Sequence, residues 1–337
     1  MQTQESNIHS FNTIQMAHKG KGHTLAVSAQ GIKRALGVVG CALGVALTLP
    51  AQTVVGEPRP RHFKEVPPGN YSGIVAMGND RYGVVSDKSA EDGFFVFHID
   101  IDTLSGEIRS IRNEGFRSSR CPNRDMEGIT FLPSKGQVLI CGEADNNIYA
   151  YDTLGHRAPR PWAKAPEFIR LPANYGLESL TSNEQTGWVW TCNENKGDSI
   201  FLQRYSLDGR PDSCFLYLLD APAAPAGAAR HAHGVSELCA LDDGRLLVLE
   251  REFYVAPSKL GSWVECKLFV TDLRTKRLLS SWRTRLSLLD FGLANYEGMC
   301  IARRLAGGKL ILLLCADSQD QYAGVLRDWF KTLVISF

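Results

Sequence analysis

Gly234–Glu252, GVSELCALDDGRLLVLERE, is the stretch on which the reading of the chain turns. Apolar runs at Leu238–Leu241 and Leu246–Leu249 flank Asp242-Asp243-Gly244-Arg245. Asp-Gly between two apolar runs marks a tight β-hairpin. Glu237 lies near the start of the first strand, and Glu250 and Glu252 lie at the end of the second. A hairpin folds those ends together, so the stretch is a two-stranded platform with carboxylates at its open end.

The same device recurs four more times. Tyr71–Ala76 leads to Tyr82–Asp87, Met126–Phe131 to Val138–Glu143, Leu177–Thr181 to Trp188–Glu194, and Tyr296–Ile301 to Leu310–Asp317. Each copy reads as a short strand opening on an acid, a turn, and an apolar strand ending in an acid; only the first has Ser72 in place of the leading Glu. A third strand follows each hairpin: Phe94–Ile99, Ile148–Tyr151, Ile200–Tyr205, Lys267–Asp272 and Thr332–Phe337. A fourth follows the first four copies, at Glu107–Arg112, Glu167–Leu171, Cys214–Leu219 and Leu278–Arg283. A period of 50 to 60 residues with four short strands predicts an all-β chain folded as a β-propeller. Five blades are expected, with six as the alternative. A strand over Arg61–Val66 would complete the last blade and close the ring, and Gly324–Trp329 reads as a helical turn.

In a propeller the first strand of a blade lines the central channel and the second runs antiparallel beside it. The start of one and the end of the other share a face. Glu127, Glu178, Glu237 and Glu297 are therefore expected at one mouth of the channel, with Asp87, Glu143, Glu194, Glu250 and Asp317 around them. Clustered carboxylates repel and hold protons. Hard cations such as Ca²⁺, which take six to eight oxygen ligands, would relieve the repulsion, and so would interleaved basic residues such as Lys88, Arg124, Lys196 and Arg251. A third reading has the leading Glu residues tie backbone N–H groups of the next blade.

A formal net charge of +1, with 44% hydrophobic and 22% charged residues, describes a globular chain without an electrostatic case for nucleic acid. Lys33-Arg34 precede the apolar run Ala35–Leu49, and Pro50-Ala51-Gln52 follow. This is a secretory leader pattern, too short to span a bilayer. Met16 is an alternative start, and Val38-Val39-Gly40-Cys41 an alternative lipid-attachment site. Cleavage near Ala51 is expected to leave one domain, 52–337, periplasmic or secreted and monomeric. Among the nine cysteines no pair has C-x-x-C spacing, so a zinc knuckle is not indicated. Cys300 and Cys315, on neighbouring strands of one hairpin, are within reach of a disulfide. Gly234-Val-Ser236-Glu-Leu238 is half of a nucleophile elbow on a strand, which argues against a serine hydrolase. His231-Ala-His233 reads as a solvated pair beside an Ala/Pro-rich loop, with metal or phosphate contact as the alternative.

Met126-Glu-Gly-Ile, Gly176-Leu-Glu-Ser-Leu, Ser236-Glu-Leu with Leu247-Val-Leu-Glu-Arg251, and Asn295-Tyr-Glu-Gly-Met, with Ser86-Asp87 early and Ala316-Asp317 late, resemble the esterase-like phytase family over about residues 70–337. The late motif is Asp317-Ser-Gln319, where that family pattern is Asp-Asp-Asn. The resemblance implies an exported, metal-dependent phosphoesterase with Ca²⁺ in an acidic channel mouth and an organic phosphate as substrate. On this reading Asp87, Glu127, Glu178, Glu194, Glu237, Glu250 and Glu297 are metal ligands. Glu143 and Asp317 are catalytic, and Lys88, Arg124 and Arg251 bind substrate. Two competing functions remain. One is a propeller lactonase or carboxylesterase. The other is a non-catalytic propeller that binds a glycan or protein through aromatics such as Trp162, Trp263 and Tyr254.

Overall fold

The computed structural model describes residues 53–337, apart from residues 170, 172–174, 195–198, 289–291 and 322–324. The leader and its alternatives lie outside the described residues, as does Lys196.

The chain forms five small sheets. The first is β3 (Tyr71–Gly78), β4 (Arg81–Ser86), β5 (Glu91–Ile101) and β6 (Ile108–Pro122); the second is β7 (Met126–Leu132), β8 (Gln137–Gly142) and β9 (Asn147–Asp152). The third is β10 (Leu177–Asn183), β11 (Trp188–Asn193), β12 (Ser199–Ser206) and β13 (Pro211–Leu218). The fourth is β14 (His231–Ala240), β15 (Leu246–Tyr254), β16 (Trp263–Thr271) and β17 (Lys276–Arg285). The last is β18 (Asn295–Leu305), β19 (Lys309–Asp317) and β20 (Trp329–Ser336), joined at its outer edge by β1 (Thr53–Gly56) and β2 (Arg61–His62). The innermost strands β3, β7, β10, β14 and β18 neighbour one another in that order, and β18 returns to β3. This is a five-bladed β-propeller.

The core is divided the same way. Five apolar clusters fill the five gaps between adjacent blades. Each blade is buried on both faces, so its second strand is a continuous apolar run rather than an alternating one. Leu247 and Leu249 pack toward the fifth blade, and Leu246 and Val248 toward the third. That alternation, carried two residues further, sends Glu250 and Arg251 to opposite sides.

Three local expectations differ from the fold. The strand over Arg61–Val66 is realised only at Arg61–His62; the main closing strand is Thr53–Gly56, with Thr53 opposite Ser336. Pro58 and Pro60 separate the two pieces, and neither can donate to a ladder. Phe63 and Val66 are buried as core side chains without strand pairing. In the second blade the expected strand over Glu167–Leu171 is instead a short helix, α1 (Pro166–Ile169). Its place beside β9 is taken by an irregular segment whose Ala158 and Trp162 N–H groups donate to Ala150 and Ile148 oxygens, at 2.7 and 2.8 Å. Pro159 and Pro161 in that segment lack the donors a full ladder needs. Finally, 325–328 form no helix, and Trp329 opens β20.

All eight cysteines of the described residues are free, Cys300 and Cys315 included. Several thiols lean on carbonyls of the next blade instead: Cys315 on Tyr71 at 3.6 Å and Cys239 on Met299 at 3.3 Å. No helix among the described residues is long and apolar enough to cross a membrane.

Candidate functional site at the channel mouth

Every innermost strand carries a β-bulge at the same end. The irregularities fall between Tyr71 and Gly73, Met126 and Ile129, Leu177 and Ser179, Val235 and Glu237, and Tyr296 and Gly298. A bulge leaves a residue out of the ladder and re-aims it. Those residues are Ser72, Glu127 (with Gly128), Glu178, Ser236 and Glu297. In the fourth blade the counterpart of Glu127, Glu178 and Glu297 is thus Ser236, not Glu237.

Glu237 falls one position deeper, level with Gly73, Gly128, Ser179 and Gly298. Backbones approach closely here: a Cβ on Gly73 would lie 2.5 Å from the Glu127 oxygen, and one on Gly128 2.4 Å from the Leu180 nitrogen. Glu237 is the one long side chain of this layer, and it is 1% exposed. Its Oε1 accepts from the Ser179 hydroxyl and from the Leu238 N–H at 3.0 Å. Its Oε2 is buried with no hydrogen-bond partner. Burial pushes its carboxyl well above the usual range. Glu237 joins the third and fourth blades below the mouth.

The second strands show the same displacement. Ser86, Gly142, Asn193, Glu250 and Ala316 are the partners of the residues that precede the bulges. The next residue in each blade faces the mouth: Asp87, Glu143, Glu194, Arg251 and Asp317. Glu250 points the other way, toward the third blade. It accepts from the Tyr217 hydroxyl (2.7 Å), the Asp220 N–H (3.0 Å) and Lys276 Nζ (2.8 Å). Burial alone would raise its pKa, but these donors and His233 hold it below the usual carboxylate range. Neighbouring Glu252 accepts from the Ala223 and Ala224 N–H groups, both at 2.8 Å, and pairs with His231 at 2.8 Å. His231 and His233 thus stand against the carboxylates that fasten the Ala/Pro-rich loop, rather than free in solvent.

Arg251 takes the slot that is acidic in the other four blades. Its Nη1 donates to Glu297 Oε1 at 2.6 Å and to Asn295 Oδ1 at 2.7 Å. Asn295 Nδ2 in turn donates to Glu297 Oε1 (2.8 Å) and Asp317 Oδ2 (3.4 Å). Asp317 also accepts from the Gln319 N–H at 2.7 Å and from the Gln319 amide. The fourth and fifth blades therefore present two carboxylates, Glu297 and Asp317, held by one guanidinium and two amide side chains.

Across the mouth the carboxylates are less well matched. One oxygen each from Asp87, Asp125 and Glu127 lies within 4.8 Å of the other two. Lys88 Nζ reaches Asp87 Oδ2 at 2.6 Å and Asp125 Oδ1 at 3.1 Å. Asp87 Oδ1 is buried and has no hydrogen-bond partner. Burial raises the Asp87 pKa to about 6, with Asp317 and Asp125 adding to it against Lys88. Burial and then the carboxylates of Glu178, Glu297, Asp87 and Asp125 push Glu127 well above the usual range. Glu178 rises through burial, Glu194, Glu297 and Glu143, with Arg251 opposing. Glu143 is half-exposed and accepts from the Gly176 N–H at 3.2 Å. An all-oxygen donor set with an unpartnered buried carboxylate oxygen fits a hard divalent cation.

Arg124 does not reach this cluster with its side chain. The guanidinium lies between the first and second blades, on Asp92 (3.4 Å), Asp145 (2.8 Å) and the Tyr151 hydroxyl (3.2 Å), and over the Tyr149 ring. Of the aromatics considered for ligand binding, Trp263 is 7% exposed and covered by Arg283. The residues missed from sequence are Asp125, Asn123 and Asn295. Asp125 lies two residues before Glu127 at a positive φ of 57°, outside the strand, where counting strand ends does not find it.

The fold defines a five-bladed β-propeller with carboxylates gathered at one end of its inner strands. Residues 66–319 match the phytase-like family, described as esterase-like activity of phytase, and the chain belongs to that family. No curated protein sequence matches. Among solved structures, the chain is similar to an endo-arabinase from Bacteroides thetaiotaomicron, at 13% identity and a TM-score of 0.48, over 80% of this chain and 94% of that one. It is also similar to a putative exo-beta-1,3-galactanase from Bifidobacterium bifidum, at 11% identity and 0.43, over 85% and 93%. A nidogen/laminin complex matches at 11% identity and 0.40, over 82% and 88%.

Proposed function

We propose that this propeller is an exported, calcium-dependent phosphoesterase acting on an organic phosphate at the channel mouth. The observation that carries the reading is the convergence of Asp87, Asp125 and Glu127, with an unpartnered buried oxygen on Asp87. These three would hold the cation, with Glu178, Glu194 and Glu297 around them. A bound divalent cation supplies positive charge for substrate phosphate and acidifies water. Glu143, half-exposed and holding one N–H, would take the proton from attacking water; its pKa, raised by burial, supports that role by making it a stronger base. Asp317 is buried among three donor contacts and positions the Asn295–Glu297–Arg251 set instead. Lys88, with 54% of its side chain exposed, has the reach to meet substrate oxygens. Arg251 adds fixed positive charge deeper in the mouth.

The protein beginning after Ala51 should release phosphate from a phosphomonoester, lose that activity in chelator and regain it with added Ca²⁺. No turnover of any phosphate ester with Ca²⁺ supplied would overturn the reading. Hydrolysis of lactones or carboxylic esters alone would select the lactonase class. Glycan or protein binding without any turnover would select the non-catalytic one. Export is checked by the N-terminus of protein recovered from the periplasm or medium, which should begin near residue 52.

A further inference from the structure

Asp87 and Asp125 stand at the ends of different sheets, and no backbone ladder joins them. Their spacing is set by something else. Asn123 lies beside both. Its Nδ2 donates to the Asp87 carbonyl at 2.9 Å and the Ser89 carbonyl at 2.6 Å, with Ser86 O and Ser89 Oγ also in reach at 3.4 and 3.1 Å. Its Oδ1 accepts from the Asp125 N–H at 2.7 Å. The orientation of the amide follows from its partners: oxygens on one side, an N–H on the other.

The turn that carries Asn123 is itself fastened to the second blade. Asp125 O accepts from the Glu143 N–H at 2.8 Å and Arg124 O from the Ala144 N–H at 3.1 Å. The Arg124 guanidinium is locked on Asp92, Asp145 and Tyr151. Asn123 is thus the arm of a fixed mount on one blade, holding the Asp87 loop of the next. We propose that Asn123 is a positioning residue that sets the spacing of Asp87 and Asp125, and through it the size of cation the mouth prefers. Two oxygens on one Ca²⁺, at about 2.3–2.6 Å each, sit up to about 5 Å apart; on Mg²⁺, at about 2.0–2.1 Å, no more than about 4.2 Å. Ligand atoms no more than 4.8 Å apart fall inside the span that one Ca²⁺ can bridge without movement. A rigid arm opposes any contraction around a smaller ion.

The inference rests on the reading that Asp87, Asp125 and Glu127 hold the ion, and calorimetric titration separates the two. The wild-type chain, freed of metal, is titrated with Ca²⁺ and with Mg²⁺, followed by Asn123→Ala. Residues that orient ligands typically cost 10–100-fold in metal affinity when removed. Asn123→Ala should weaken Ca²⁺ binding about 10-fold and reduce the preference for Ca²⁺ over Mg²⁺, while its melting temperature in chelator stays within a few degrees of wild type. If wild type binds no ion, the site reading falls and the inference with it. If wild type binds Ca²⁺ and Asn123→Ala matches its affinity and its preference, the inference falls and the site stands. Should Asn123→Ala not fold, Ser89→Ala decides: it removes the hydroxyl that accepts from the amide at 3.1 Å and ties the same loop to the Ser86 and Glu91 carbonyls. A smaller loss in the same direction supports the mount, and unchanged binding overturns it.

Discussion

Glu250 and Arg251 are neighbours in sequence and opposites in role, because adjacent strand residues face different blades. The pair also shows what a buried cation does here. Arg251 neutralises Glu297 at 2.6 Å, and both side chains are about 10% exposed. Burying two charges is costly, yet removing one partner alone is worse, on the order of 3–5 kcal/mol, because an uncompensated charge remains. Arg251→Met should therefore lower unfolding free energy by about that amount in a urea titration of the chelated protein at pH 8. Adding Glu297→Gln should recover much of the loss, since it removes the charge left behind. A single variant as stable as wild type would show that other groups neutralise Glu297. From sequence, Arg251 was legible as a channel residue but its slot was not. The bulge in β14 falls at Ser236 inside an unbroken strand, and β15 runs on to Tyr254, past the point where the other second strands stop. Counting acids from strand ends therefore lands one residue below the mouth on both strands, late at Glu237 and early at Glu250.

At the scale of elements, hairpins were the most legible features, because their apolar runs and Gly-containing turns are local. The outer strands were less so. They are half-exposed, and their pairing depends on whether a donor exists at each position. Pro159 and Pro161 remove donors in the second blade, and Pro58 and Pro60 divide the closing segment. The closing strand is also the longest-range pairing in the ring: Thr53 meets Ser336, and Lys331 Nζ reaches Glu57 at 2.6 Å. A chain beginning at residue 61 loses β1 and bares the outer edge of β20, which is then free to pair with another chain. Its melting temperature should fall by several degrees, and light scattering should show association that the full propeller lacks. If the truncated chain melts with the full one and stays dispersed, β1 is decoration and β19–β20 close the ring alone.

For the molecule as a whole, the mouth couples stability to pH and to metal. A carboxyl whose folded pKa is raised binds its proton more tightly when folded, so its contribution is present below the unfolded carboxylate range and lost as pH rises through the folded value. Asp87, at about 6, and Asp328, pushed up by burial to about 7, fall in this class, and so do Glu127, Glu178 and Glu297, each raised by burial and neighbouring carboxylates. Glu250 and Glu252 have the opposite sign. Their folded values are lowered by donors that outweigh burial, so their contribution is lost as pH falls through the acid range. The two sets together place the stability maximum of the chelated protein at mildly acidic pH. Melting temperature in chelator should decline steadily from pH 5 to pH 8. Saturating Ca²⁺ should flatten that decline, since an ion that binds only the folded state adds stability in proportion to the logarithm of its concentration over its dissociation constant, and protons compete with it least at high pH. A chelated protein whose melting temperature holds level or climbs over that range would mean that the carboxylates of the mouth are already compensated without metal.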